Sequence, residues 1–190
     1  SQGARVFSQV VPAAIEMLDE SLRSRLRIAQ QCRAEDFASV RDAYDRLGIV
    51  AELATFFADM PERLAVAHLA ITRAGASTVS ELCAAGRPAI LVPYPHAADD
   101  HQTANARAIE RAGAAWVMPE PEFTAVGLVE RLNQLLRAPA ELAAAAARAR
   151  SAGRRDAASR LADLVCAVAD GNGGRVTRPQ PETLRREAAE

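Results

Sequence analysis

The chain has 190 residues, of which 49% are hydrophobic and 25% are charged, and its formal net charge at pH 7 is -1. A chain of this length forms one domain, with or without a tail, and buries roughly 70% of its unfolded surface on folding. The near-zero net charge excludes a long-range electric field that would recruit nucleic acid or anionic lipid.

Three further features of the sequence limit the classes of protein to which the chain can belong: its cysteines, its apolar runs and its N-terminus. Cys32, Cys83 and Cys166 form no CxxC or CxxH spacing, so the sequence indicates neither a disulfide framework nor a zinc site, and a reducing cytoplasm fits best. No apolar run reaches the ~18 residues of a membrane span, and no signal peptide is evident. The chain opens on Ser1 without an initiator methionine, which indicates a piece of a longer polypeptide.

The first half of the chain alternates predicted helices and strands. Apolar residues at helical spacing predict a helix over about 4–20, and the next apolar run predicts a strand over 25–32. A second amphipathic helix is predicted near 35–47, where Gly48 ends it, and a strand follows over 49–53.

The second half continues this alternation and extends it with helices. The predicted strands are "LAIT", "PAILVPY" and "AAWVM", and the predicted helices cover 78–85, about 100–112, 124–137, 140–152 and 156–170. The pattern predicts an α/β fold, a Rossmann-like doubly wound parallel sheet buried on both faces, with extra C-terminal helices. The domain is predicted over 1–170, and the polar stretch 171–190 is predicted to be a disordered tail.

The loop over residues 73–78, "RAGAST", follows the "LAIT" strand and has the composition of an anion site. Ligands of open α/β sheets bind at the carboxyl ends of strands. A helix that begins at Ser77 or Thr78 leaves unpaired N–H groups beside the positive end of its dipole, and Gly75 with its small neighbours allows an anion to approach. The loop therefore predicts a phosphate or diphosphate site.

Glu81 has two interpretations. The segment Thr78-Val79-Ser80-Glu81 matches a capping box, in which the Glu81 carboxylate accepts a hydrogen bond from the cap amide. Alternatively, this carboxylate accepts two hydrogen bonds from the cis-diol of a ribose. The local pattern leaves both interpretations open.

Residues 92–106, "VPYPHAADDHQTANA", form a second candidate loop that enters a helix. His101 and Gln102 are suited to contact the hydroxyls of an uncharged polyol, whereas the histidines and aspartates also raise a metal site. Their spacing matches no common metal motif, so a solvated helix start is the preferred alternative. The other polar residues of the loop are His96, Asp99, Asp100 and Asn105.

The segment "TFFADMPERLAVA" predicts an aromatic-bearing loop and a short helix. Two adjacent aromatic residues at a strand end usually give one core side chain and one rim side chain, and Phe57 or its backbone is a candidate to flank a planar base. Because all three loops follow strands of one predicted sheet, we expect them to open on the same edge.

Four motifs in this order closely resemble the C-terminal half of the MurG family: "SQGA", "FFADM", "ITRAGASTVSELCAAGRPAILVPYPHAADDHQTANA" and "AGAAW". These bacterial transferases move N-acetylglucosamine from UDP onto a muramoyl-pentapeptide lipid. The resemblance covers about residues 1–170. It implies the C-terminal domain of a two-domain GT-B glycosyltransferase, with its first strand missing from this chain, that binds UDP-N-acetylglucosamine (UDP-GlcNAc).

The resemblance also implies roles for individual residues. Ser1 and the first helical amides would face the diphosphate, the main chain at Phe57 would read the uracil edge, and Glu81 would hold the ribose. Gln102, with His101 beside it, would reach the sugar hydroxyls. The implied substrate-binding set is Ser1, Phe57, Gly75, Ala76, Ser77, Thr78, Val79, Ser80, Glu81, His101 and Gln102, with Arg73, His96 and Asn105 as supports.

The implied reaction is an inverting displacement in peptidoglycan biosynthesis. The family's N-terminal domain supplies the acceptor site, the membrane-facing patch and the general base, so no catalytic residue is expected here and the fragment is expected to be inactive alone. No tightly bound metal is required, although a loosely associated Mg²⁺ is compatible with the site. The complete protein is expected on the inner face of the bacterial membrane, bound to its lipid-linked acceptor and not to nucleic acid.

Other functions remain as alternatives. A nicotinamide dehydrogenase would need GxGxxG after the first strand and an acidic residue at the next strand end, whereas "RAGAST" has one glycine and Glu81 falls inside a helix. A UDP-sugar epimerase would also bind the nucleotide sugar and is a second alternative. A stand-alone UDP-GlcNAc-binding subunit of a split transferase is the non-enzymatic alternative.

Overall fold

The protein was analysed as a computed structural model, which describes residues 4–154 and 156–169. The chain divides into two compact units after Gly153. Ser1 and the predicted tail over 171–190 lie outside the described residues.

The described residues alternate helices and strands, as the sequence predicts. The first unit contains α1 (Arg5–Glu16), α2 (Glu20–Arg23), β1 (Ile28–Gln31), α3 (Phe37–Arg46), β2 (Ala51–Ala54), α4 (Met60–Val66), β3 (Ala70–Thr72), α5 (Ala76–Ala85), β4 (Ala89–Leu91), α6 (His101–Arg111), β5 (Ala115–Val117), α7 (Ala125–Arg137) and α8 (Pro139–Ala152). Helix α9 (Ala157–Ala169) belongs to the second unit. Short 3-10 turns cover Ala34–Asp36, Ala98–Asp100 and Glu120–Glu122.

Every strand pairing in the described residues is parallel, which confirms the predicted α/β class. Strand β1 pairs with β2, and β4 lies between β3 and β5, with Ile90 opposite both Ile71 and Trp116. The strands form two ladders, β1–β2 and β3–β4–β5, where the sequence predicts one continuous sheet. The ladders nevertheless share one hydrophobic core, because side chains from both pack in the same cluster.

Strand β4 and the residues beside it are buried on both faces. Ile90 and Val92 belong to the large cluster, whereas Ala89 and Leu91 belong to a smaller cluster on the opposite face. This division follows from the period of two along a strand, and burial of each large aliphatic side chain contributes about 1.5–3 kcal/mol. Helices α1, α3 and α7 pack around the large cluster, and α5 and α6 contribute to the small one.

Two helix boundaries differ from the prediction. The first helix ends at Glu16 instead of near residue 20, and the short α2 follows it. Helix α5 begins at Ala76, two residues before the predicted start at Thr78. The second difference changes the interpretation of Glu81, as described below.

Side chains of helix α8 lie at the C-terminal ends of α5 and α6. Gly86 and Gly113 follow these helices with φ of +62° and +70°, a region that favours glycine. The side chains of Arg150 and Arg148 on α8 lie over these two glycines. A positive charge at the C-terminus of a helix complements its dipole, so the contacts favour the observed arrangement.

No helix within the described ranges, 4–154 and 156–169, is long and apolar enough to cross a membrane.

Candidate functional site

The loops after β3 and β4 meet at the carboxyl edge of the sheet. The Ala74 and Tyr94 amides both donate to Gln102 Oε1, at 3.2 Å and 3.1 Å. Asn105 Nδ2 donates to the Ala74 carbonyl at 3.1 Å. The first turns of α6 therefore hold both polar groups of the Ala74 main chain, and α6 fixes the position of the loop that opens α5.

Helix α5 begins with an uncapped first turn. Gly75 is its N-cap, with φ -62° and ψ 149°, and no side chain caps the helix. The amide of Val79 donates to the Gly75 carbonyl at 2.9 Å, whereas the amides of Ala76, Ser77 and Thr78 have no acceptor among the described residues. These amides point out of the N-terminus beside the positive end of the dipole.

The structure contradicts one of the two interpretations of Glu81, the capping box. Thr78 is the third helical residue instead of the N-cap, because Ala76 and Ser77 already adopt helical geometry after the extended Gly75. Glu81 is exposed and has no hydrogen bond or ion pair with the described part of the chain. Helical side chains point toward the N-terminus, and residues three and four apart share a face. The Glu81 carboxylate is therefore available on the face that carries Ser77 and Thr78.

Val79 and Ser80 do not contribute equally to this surface. The Val79 amide is used within the helix and its side chain packs against the small core cluster, so Val79 supports the fold. Ser80 is exposed on the second turn. A Cβ atom at Gly75 would meet only Thr78 Oγ1, at 3.9 Å, so the space in front of this glycine is open.

The loop before α6 is polar and exposed. His101 Nδ1 lies 2.7 Å from the Ala98 carbonyl oxygen, and the His96 ring packs edge-on against Tyr94 at 5.6 Å between centroids. Asp99 and Asp100 both have φ of +50°, and Asp100 is the N-cap of α6 without a side-chain cap bond. No group of three or more His, Cys, Asp or Glu residues in the described chain is arranged to hold a metal ion.

Phe56, rather than Phe57, presents an aromatic ring to solvent after β2. Phe57 is buried at 9% exposure, with the Arg63 guanidinium carbon 3.9 Å from its ring centroid, whereas Phe56 is 72% exposed. Arg63 also pairs with Asp59 at 2.8 Å, and its hydrogen bond holds the pKa of Asp59 below the usual range. The sequence predicts one core and one rim aromatic residue here, and the structure assigns Phe57 to the core and Phe56 to the rim, whereas the role implied for the Phe57 main chain stays a prediction.

Arg73 joins several parts of the carboxyl edge. Its Nη1 donates to the carbonyls of Val92 and Pro93, at 3.3 Å and 3.1 Å. Its Nη2 lies 2.5 Å from Glu120 Oε2, in an ion pair that sequence analysis did not identify. The supporting position predicted for Arg73 is consistent with these contacts, because each of them lies within the protein.

Comparison with known proteins places this edge of the sheet in context. Residues 1–161 match the family described as "Glycosyltransferase family 28 C-terminal domain". The chain belongs to glycosyltransferase family 28. The helix start and the loops described above all lie within the part that matches this hexosyltransferase family.

Family 28 relatives are similar along nearly all of the chain. A protein from Rhodospirillum centenum is 62% identical over 93% of this chain and 47% of its own length. Another from Paramagnetospirillum magneticum is 59% identical over 92% of this chain and 47% of its length. Both are named UDP-N-acetylglucosamine-N-acetylmuramyl-(pentapeptide) pyrophosphoryl-undecaprenol N-acetylglucosamine transferase. The chain spans about half the length of these relatives.

A family 28 crystal structure confirms the predicted fold. The structure of MurG from Acinetobacter baumannii matches 86% of this chain and 46% of its own, with a TM-score of 0.77 and 31% sequence identity. The fold is therefore that of the C-terminal GT-B domain.

Proposed function

We propose that this chain is the nucleotide-sugar-binding half of an inverting glycosyltransferase that moves N-acetylglucosamine from UDP-GlcNAc to an undecaprenyl-diphosphate-muramoyl-pentapeptide. One observation carries the proposal: the unpaired amides of Ala76, Ser77 and Thr78 lie on the same helix end as the unpaired carboxylate of Glu81. A diphosphate followed by a ribose diol requires this order of donors and acceptors. The names of the relatives support the choice of sugar and acceptor.

The first turn of α5 binds the diphosphate in this proposal. Its free amides and the helix dipole supply positive potential, and the open space at Gly75 lets the anion reach the main chain. These groups are also placed to stabilise the charge that develops on UDP as it leaves. A tightly bound metal is not required for that role, and a loosely associated Mg²⁺ is compatible with it.

The nucleoside lies between Glu81 and the loop after β2. The Glu81 carboxylate accepts hydrogen bonds from the two ribose hydroxyls, which suits its lack of protein partners. The main chain at Phe57 meets the uracil edge, and the exposed Phe56 ring is the aromatic surface available to the base.

The sugar lies toward α6, where His101 and Gln102 provide polar groups. In the reaction the acceptor hydroxyl forms a bond to the anomeric carbon, the bond from that carbon to the diphosphate oxygen breaks, and the hydroxyl proton passes to a base. We assign the base, the acceptor site and the membrane-facing surface to an N-terminal half. The complete enzyme then acts at the cytoplasmic face of the bacterial membrane, and this half alone is inactive.

The division of the strands into two ladders suggests where a further strand fits. Ladders β1–β2 and β3–β4–β5 share one core without a strand pairing between β1 and β3. In the common doubly wound order, the first strand lies between the second and the fourth. We place the strand missing from this chain between β1 and β3.

Titration calorimetry of the chain with UDP-GlcNAc, UDP-glucose and NAD tests the proposed ligand. We expect UDP-GlcNAc to bind and NAD not to bind. We expect Glu81→Gln to weaken UDP-GlcNAc binding about tenfold, because charge-assisted hydrogen bonds to the ribose are lost. The midpoint of urea unfolding should stay unchanged, since Glu81 has no partner within the described residues.

The matched control is Glu130→Gln, which removes an exposed carboxylate from α7. It should leave the affinity for UDP-GlcNAc unchanged. A folded wild-type chain that binds no UDP compound contradicts the proposed function. Wild-type affinity in Glu81→Gln contradicts the ribose role alone.

A further inference from the structure

Glu120 is the ion-pair partner of Arg73, and it lies outside the loops assigned to the nucleotide sugar. It begins the 3-10 turn that follows β5, and its carboxylate reaches back to the Arg73 guanidinium, where Oε2 lies 2.5 Å from Nη2. The side chains of Glu120 and Arg73 are 31% and 17% exposed, so the ion pair is partly shielded from solvent. A shielded pair is held more firmly than one on an open surface.

Arg73 has little freedom once Glu120 holds it. Arg73 Nη1 donates to the Val92 and Pro93 carbonyls after β4, and the guanidinium carbon lies 5.3 Å from the centroid of the Tyr94 ring. The guanidinium thus connects the chain after β3 to the end of β4 and to the turn after β5. An arginine fork is suited to this task because its donors point in fixed directions.

Ala74, the residue after Arg73, is hydrogen-bonded to side chains of α6. The Ala74 amide donates to Gln102 Oε1, and the Ala74 carbonyl accepts from Asn105. Gly75 and the free amides of α5 follow directly. A shift of the Arg73 backbone therefore moves the proposed diphosphate-binding amides relative to α6.

We propose that Glu120 is a positioning residue for the nucleotide-sugar site, acting through Arg73. Glu120 fixes the guanidinium, the guanidinium fixes the loop after β3, and the loop sets the direction of the α5 amides. Glu120 also neutralises Arg73, so this arginine connects the strand ends and does not bind the diphosphate. The inference rests on the proposed function, because it assigns the held loop to the diphosphate.

The test compares Glu120→Ala with Glu122→Ala, which removes an exposed carboxylate from the same turn. Calorimetry with UDP-GlcNAc should show binding weakened roughly five- to twentyfold in Glu120→Ala and unchanged in Glu122→Ala. Glu120→Gln removes the charge but keeps the size of the side chain, so its affinity for UDP-GlcNAc should fall between these values. Equal affinity in the two alanine variants overturns the proposal. Tighter binding by Glu120→Ala also overturns it, because Arg73 would then be an anion ligand.

Hydrogen exchange provides a measurement that needs no ligand. The Ala74 and Tyr94 amides donate to Gln102, so loss of positioning should speed their exchange roughly tenfold in Glu120→Ala. Exchange at the Glu122→Ala rate overturns the proposal, even if the wild-type chain binds no UDP compound and the proposed function fails. If urea unfolding shows that Glu120→Ala is unfolded, the same comparison is made between Glu120→Gln and Glu122→Gln.

Discussion

The oxygen and the nitrogen of the Gln102 carboxamide have different roles. Its oxygen accepts from the amides of Ala74 and Tyr94, and because both partners are donors, the oxygen must face them. Its Nε2 has no partner within the described residues and can only donate. A sugar atom that contacts Gln102 must therefore be an acceptor, such as a hydroxyl or acetyl oxygen.

Substitution at Gln102 separates these tasks. Gln102→Glu keeps an acceptor for both amides but loses the donor, so the urea midpoint should be nearly unchanged. The preference for UDP-GlcNAc over UDP, measured as the ratio of their Kd values, should fall about tenfold because a sugar contact is lost. Gln102→Ala loses both functions and should also reduce the free energy of unfolding by about 1–3 kcal/mol. An unchanged Kd ratio in Gln102→Glu would exclude Gln102 from the sugar contact.

At the scale of the element, the two ends of α5 differ in how their backbone groups are hydrogen-bonded. Its first amides are free, whereas at its last turn the amides of Arg87 and Gly86 donate to Leu82 and Cys83, at 2.8 Å and 3.0 Å. This is the Schellman arrangement, which requires a left-handed residue at Gly86. The stability of the helix is thus provided by its C-terminal end and its packing, and its N-terminal end remains available for a ligand.

Two glycine substitutions test this division of roles. Gly75→Ala is compatible with the backbone and should leave stability unchanged or raise it by about 0.4–1 kcal/mol, but its methyl group should weaken binding of UDP. Gly86→Ala is strained at φ +62° and its Cβ would lie 2.8 Å from Arg150 Nε, so it should lower the free energy of unfolding by about 1–2 kcal/mol. Urea unfolding and calorimetry measure both effects. If the folded Gly86→Ala variant bound UDP more weakly and Gly75→Ala bound it with unchanged affinity, the roles of the two helix ends would be the reverse of those assigned here.

At the scale of the whole molecule, the α/β alternation was predictable because each strand is a short apolar run between clear helical patterns. Gly48 also marks a predicted helix end that the structure retains. The start of α5 was less predictable, because small residues such as Ala76 fit both a loop and a helix. Which of Phe56 and Phe57 faces the core depends on the conformation of the loop after β2 and on its tertiary packing. The pairing of Glu120 with Arg73 depends on tertiary structure and has no local sequence signal.

Stability at high pH is a property of the whole fold. Burial raises the pKa of Tyr44, whose hydroxyl donates to Gln30 at 2.5 Å. The unfolded chain releases this proton near pH 10 while the folded chain keeps it, so the stabilisation is complete below pH 10 and is lost above it. The free energy of unfolding should therefore decrease by up to about 1.36 kcal/mol per pH unit for this group.

Urea unfolding between pH 9 and pH 11 measures that slope. Tyr44→Phe should reduce the slope, whereas Tyr94→Phe, which removes an exposed phenol, should not. The buried thiols of Cys32 and Cys83 also have raised pKa values and contribute equally in both variants. Equal slopes in the two variants would show that Tyr44 ionises alike in the folded and unfolded chains.

Helix α8 connects two helices whose opposite ends face the proposed ligand. The side chains of Arg150 and Arg148 lie beside the C-terminal ends of α5 and α6, while Gln102 joins the loop before α5 to α6 at the other end. The hydrogen bonds of Gln102 and Asn105 therefore set the distance between the proposed phosphate and sugar contacts before any ligand arrives. Binding then requires little ordering of the protein. The fixed distance also disfavours ligands that have a longer or shorter link between the nucleoside and the sugar.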